Sequence, residues 1–212
     1  SLVDLAKDRS SIILNGELVR SCVRKTAKIP EYSTITTIEG IGTPQHLHPI
    51  QQAFITYGAV QCGFCSPGFI VSSYALLQRK PNPTREEVRD WFEKHRNICR
   101  CTGYKQIVDA VMAAAKVMRG EATMQDITYT KDEPIYGSSR PRPAALAKVC
   151  GICEYGDDLK YKMPPGTAHL ALVLSEVPHA NIISIDTSEA EKMPGVYKVI
   201  LGKDVKGTNI IA

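Results

Sequence analysis

The sequence predicts an α+β multidomain protein, and three observations carry that expectation. Strand-forming residues cluster before residue 45, helical periodicity dominates residues 45–120, and strand and helix patterns alternate after residue 143. A chain of 212 residues suits one to two domains, enough to bury cores.

Residues 1–44 predict a small β-containing unit. In "SIILNGELVRSCV", strand formers flank Asn15-Gly16, a dipeptide favoured in two-residue hairpin turns. "STITTIEG" is also β-rich and ends at a glycine. So short a segment is meagre for a core of its own.

Residues 45–120 predict a four-helix bundle. The first helix starts at Pro49 and carries Ile50, Phe54 and Tyr57 on one face. The second opens at Ser66-Pro67, repeats Ile70, Tyr74 and Leu77, and breaks at "KPNPT". The third opens on the capping box Thr84-x-x-Glu87, followed by Val88, Trp91, Phe92 and His95. The fourth follows Gly103 and runs through Ile107, Val111, Ala114 and Met118 to Gly120. Short connections make successive helices antiparallel. The loop holding Cys62 and Cys65 is therefore expected at the same end as the loop holding Cys99 and Cys101.

Residues 121–143, punctuated by Pro134, Gly137, Pro141 and Pro143, read as a surface linker. From residue 144 to 212, "HLALVLSEV" and "VYKVIL" read as strands, with "TSEAEKM" a short helix between them. This is the start of an α/β domain.

The formal net charge is +4, Lys and Arg are dispersed, and aromatics make up 7%, so no nucleic-acid partner is expected. No apolar run approaches the ~20 residues of a membrane span. "SLVDLAKDRS" lacks the layout of a signal peptide. Seven unevenly spaced cysteines suit a reducing, cytoplasmic setting, where clustered thiols serve metals or redox chemistry.

C-x2-C and C-x-C on converging loops can place the thiolates of Cys62, Cys65, Cys99 and Cys101 around one small centre. Thiolates are soft ligands that suit Fe–S clusters, Zn or Cu(I). The tight C-x-C pair fits one iron of a [2Fe–2S] rhomb, with C-x2-C on the other. Gly63, Gly68 and Gly103 permit tight turns whose N–H groups can point at the sulfides. On the residues alone, a dithiol switch stays open. So does a non-enzymatic module held by structural zinc.

"GAVQCGFCSPGFIVSSYALL", "REEVRDWFEKHRNICRCTGY" and "IVDAVMAAA" resemble the second iron–sulfur domain of molybdenum hydroxylases, the xanthine oxidase family, and within it bacterial aldehyde oxidoreductases. "SIILNGELVRSCV" with "ITTIEGIG" resembles the tail of the family's first domain, a plant-ferredoxin-like β-grasp unit. "RPAALAKVCGICEYGDD" and "HANIISIDTSEAEKMPGVYKVI" resemble the opening of its molybdenum-binding part. The resemblance implies that Cys62, Cys65, Cys99 and Cys101 ligate the [2Fe–2S] cluster nearest the molybdopterin. It also implies that Gln61 and Cys101 touch the pterin. The implied activity is oxidation of a small aldehyde to a carboxylic acid at molybdenum, with electrons leaving through [2Fe–2S] to an acceptor such as a flavodoxin or ferredoxin. A homodimer and the remaining molybdenum-binding part are the implied partners. No catalytic residue is assigned within these 212 residues. An iron–sulfur subunit of a related xanthine or carbon monoxide dehydrogenase shares the cluster motif.

The first cluster departs from the family's pattern. Plant-type ligation needs C-x4-C-x2-C and a distant fourth cysteine, which Cys22 matches. Leu2, Lys7 and Ser10 stand at the other three spacings, and "SLVDLAKDR" resembles the helix before the cysteine loop. The resemblance thus implies a missing loop of about twenty residues between Arg9 and Ser10, and a second [2Fe–2S] only where that loop exists.

Cys150 and Cys153 have no further cysteines to complete a site and read as structural. His46, His48, His95, His169 and His179 pair at no metal-binding spacing and read the same way. No P-loop, G-x-G-x-x-G or G-x-S-x-G motif occurs.

Overall fold

The computed structural model describes residues 11–129, 136–138 and 140–208. Leu2, Lys7 and Ser10, the positions matching absent ligands, lie outside the described residues. The described residues up to Glu154 form one compact unit, and those from Tyr155 form a second.

The first unit opens on a hairpin. Strands β1 (Ser11–Leu14) and β2 (Glu17–Arg20) pair antiparallel, with Ile12 opposite Val19 and Leu14 opposite Glu17. Asn15 and Gly16 both adopt positive φ, +50° and +82°, as a type I′ turn requires. The Asn15 side chain accepts the Thr34 N–H at 2.8 Å, which leads into β3 (Ile35–Thr36) on the other edge of β1. All of β1 is buried because both of its faces are covered. Ile12 packs with Val19, Ile29 and Ile35, whereas Ile13 joins the core of the helices. That sharing resolves the shortage of core material in the β segment.

Four helices follow where the periodicity places them. Helix α1 (Pro49–Thr56) is capped by His48, whose Nδ1 accepts the Ile50 N–H, while Gln51 accepts the His48 N–H. Burial holds the His48 pKa below its ordinary value, in keeping with a neutral, accepting ring. Tyr57, expected on the buried face, is 42% exposed: it sits past the last helical residue, where the backbone turns away.

Helix α2 (Ser66–Arg79) is buried around most of its circumference and packs against β1, α1, α3 (Arg85–Lys94) and α4 (Lys105–Met118). Its serines are therefore satisfied internally. Ser73 donates to Phe69 O, and Ser72 donates to the buried Asn97 Oδ1 at 2.9 Å. The Thr84–Glu87 capping box forms with both reciprocal bonds, and Trp91 Nε1 reaches Ser72. Phe54, Phe69, Ile70, Val88, Val108 and Val111 fill the shared core.

Beyond the proline-rich stretch, α5 (Ala145–Val149) returns onto α1 and α2, burying Ala145 and Val149. Gln51, fully buried on α1, donates to Val149 O at 3.1 Å, to Gly42 O at 3.3 Å and to Cys150 Sγ at 3.9 Å. Cys150 is thus a packed core thiol, its pKa raised by burial, and Cys153 donates to Glu154 O.

The second unit forms the short helix expected near "TSEAEKM", α6 (Ser188–Lys192), with Asp186 accepting the Ser188 N–H. The expected strands at "HLALVLSEV" and "VYKVIL" do not form: among the described residues after Glu154 there is no sheet ladder. Strand structure needs backbone partners, and Leu170, Val173 and Ile183 have no covering layer, Val173 being fully exposed.

Candidate metal centre

The two cysteine loops converge as the helix order requires. Cys62 and Cys65 lie between α1 and α2, with Cys65 at the N-cap of α2. Cys99 and Cys101 lie between α3 and α4, in a loop tied to α2 by Asn97, which also donates to Gly68 O.

Cys65 and Cys99 are in side-chain hydrogen-bond contact across the two loops. Burial is the main force pushing the Cys65 thiol up, reinforced by this bond and by electrostatic repulsion from the neighbouring Cys99 and Cys62 sulfurs. At Cys99, burial also opposes ionisation. It is outweighed by hydrogen bonds from the Thr102 hydroxyl at 3.2 Å, the Thr102 N–H at 3.4 Å, the Cys101 N–H and Cys65, so this thiol is held below its ordinary value.

The loop geometry that aims these donors is strained. Gly103 and Tyr104 both take positive φ, +68° and +70°. The turn brings the Tyr104 hydroxyl back to accept the Cys99 N–H at 3.0 Å, while Tyr104 N donates to Thr102 Oγ1. A non-glycine residue held left-handed costs free energy that surrounding contacts must offset. Here the ring meets Phe69 edge-on.

Gly63 and Gly103 make the tight turns expected of them. Gly68 does not: it lies buried inside α2, where its carbonyl faces Asn97. The Gln61 carbonyl accepts a bond from Lys148 on α5 at 2.8 Å. Thr102, Tyr104, Asn97 and Lys148 were not singled out by the sequence. Only Thr102 left a local signal, a hydroxyl directly after Cys-x-Cys and before a glycine.

Cys62 and Cys101 are exposed, and Cys101 joins the group through its backbone N–H. Among the described residues, no three His, Cys, Asp or Glu side chains gather around a single-ion site. Cys22 is exposed on a 3-10 turn (Ser21–Val23) after β2.

The donor set fits an iron–sulfur centre. Cys99 accepts more hydrogen bonds than a neutral thiol calls for, whereas a cluster thiolate, carrying charge, takes them all. The helical frame offers cysteines from two loops, the donor type of iron–sulfur centres. Residues 37–112 match the model of the [2Fe-2S] binding domain, and residues 150–211 match the aldehyde oxidase and xanthine dehydrogenase a/b hammerhead domain. A nicotinate dehydrogenase subunit of Pseudomonas putida is 42% identical over 109 residues, 51% of this chain and 68% of that protein. Aldehyde oxidoreductase of Megalodesulfovibrio gigas is 57% identical over 203 residues, 95% of this chain and 22% of the relative. The crystal structure of the aldehyde oxidoreductase from Desulfovibrio desulfuricans ATCC 27774 superposes with a TM-score of 0.72 at 56% identity, covering 96% of this chain and 23% of that one. The chain belongs to the molybdenum hydroxylase family and carries its electron-transfer portion. It spans about a fifth of the length of the aldehyde oxidoreductases it matches. The cofactors of that family are [2Fe–2S] and molybdopterin. No helix among the described residues is long and apolar enough to cross a membrane.

Proposed function

We propose that Cys62, Cys65, Cys99 and Cys101 ligate a [2Fe–2S] cluster that carries electrons away from a molybdopterin centre during aldehyde oxidation. The observation that carries this reading is the contact between Cys65 and Cys99 across two loops, within a region that matches a [2Fe-2S] binding domain. When bound, the cluster supplies one-electron storage. The chain's own residues bury part of it, donate hydrogen bonds to Cys99 and hold the loops at one end of the helices. Gln61 and Cys101 face the pterin in this reading. Water supplies the oxygen added to the aldehyde, and a flavodoxin or ferredoxin takes the electrons from a homodimeric, cytoplasmic enzyme.

The domain organisation that goes with it is a partial plant-ferredoxin-like unit (1–44), a helical bundle holding the cluster (45–120), a linker (121–143) and the start of the molybdenum-binding part (144–212). Cys22 is assigned the fourth ligand position of a first cluster in this scheme. Metal analysis tests the central claim. About two irons and two sulfides per set of four cysteines, with a visible charge-transfer spectrum and a reduced-state EPR signal, is the expected result. A colourless protein with one zinc would overturn it.

A further inference from the structure

Lys148 makes two contacts with the loop that bears the first cysteine pair. Its Nζ donates to the Gln61 carbonyl at 2.8 Å. Its aliphatic stem lies against Gly63: a Cβ built there would meet Lys148 Cδ, Cγ and Cβ at 2.4, 2.5 and 2.8 Å. Gly63 also has φ +86°, so the backbone turn and the close approach of the stem select the same residue. Lys148 itself is fixed from behind. Ala145 and Val149, on the same short helix, are buried, and Gln51 binds the Val149 carbonyl.

A lysine anchored in this way is not a solvated surface charge. Its stem covers the turn, its head is spent on a carbonyl next to Cys62, and its position is set by the core. We propose that Lys148 is a positioning residue of the iron–sulfur centre: it holds the Gln61–Cys65 loop in ligand geometry, and its ammonium raises the centre's reduction potential. The inference rests on the four-cysteine ligation proposed above. Net charge and hydrogen bonding around a cluster set its potential, and a fixed positive charge favours the form with one more electron.

The test is redox titration of the holoprotein followed by EPR, with iron content measured on each sample. Lys148→Gln keeps a donor for the Gln61 carbonyl and removes the charge; Lys148→Arg keeps the charge. With Lys148→Gln, the equilibrium constant for one-electron reduction is expected to fall about tenfold, ~59 mV. Lys148→Arg is expected to stay within about threefold of the wild type, since it preserves the charge. A full-iron Lys148→Gln protein with an unchanged potential overturns the inference, as does an equal fall in both variants. Loss of iron in Lys148→Ala, which removes both the stem and the donor, supports the holding role, and full iron in Lys148→Ala overturns it. A wild-type protein without the cluster signal overturns the ligation reading itself, and the inference with it.

Discussion

Thr102 meets Cys99 with both its hydroxyl and its amide, at 3.2 and 3.4 Å, on a single sulfur. Donors aimed at a ligand sulfur stabilise the more negative, reduced state. Thr102→Val, which removes the hydroxyl and keeps the shape, is expected to lower the cluster potential by about tenfold in the reduction equilibrium, whereas Thr102→Ser leaves it near wild type. Redox titration with EPR detection distinguishes the two.

Gly63→Ala adds a methyl where the Lys148 stem already lies, on a backbone at positive φ. Loss of iron together with a lower melting temperature is expected. Adding Lys148→Ala is not expected to rescue it: the Lys148 Cβ, 2.8 Å from the added methyl, and a backbone cost of about 1 kcal/mol both remain, and the loop loses the side chain that holds it. Iron per chain in the two single variants and the double variant is the measurement.

Asn97 and Ser72 form a buried pair that ties the second cysteine loop to α2. Asn97→Ala takes away the acceptor of the Ser72 O–H and the donor to Gly68 O, while Trp91 Nε1 still donates to Ser72 Oγ, so it is expected to destabilise the first unit by about 1–3 kcal/mol. A double change with Ser72→Ala should cost less than the sum of the two singles. Chemical denaturation of all three variants provides the comparison.

Asp109 on α4 is held below its ordinary pKa by Lys105, one turn earlier, and by Arg85 at the start of α3. A depressed carboxylate stabilises the fold above its unfolded pKa of about 4, and the contribution is lost as pH falls through the lower folded value. Asp109→Asn is therefore expected to lower stability by about 0.5 kcal/mol at neutral pH, with the gap closing below about pH 4. Melting curves at pH 7 and in mild acid read this directly.

The helical frame was legible because its signals are local. Pro49, the Thr84–Glu87 box and the apolar repeats of Ile70 and Val111 each encode a start or a face without reference to the rest of the chain. The two cysteine loops followed from helix order alone. The groups that tune the site were not legible, since their roles depend on distant partners. Lys148 meets Gln61 across 87 positions, and the Gln51 amide meets Cys150 across 99. Periodicity over-read "HLALVLSEV", because alternating or apolar runs show what a segment can pair with, not that a partner is there.

The return of α5 onto α1 and α2 has a practical corollary for limited digestion. Tyr136 is almost fully exposed, whereas Ala145 and Val149 beyond it are sealed into the core and Gln51 grips the chain at Val149. A protease that nicks the exposed stretch severs a covalent connection that the non-covalent one duplicates. The two pieces should travel together on a native gel and part only in detergent, with Lys148 still seated against the turn it clasps.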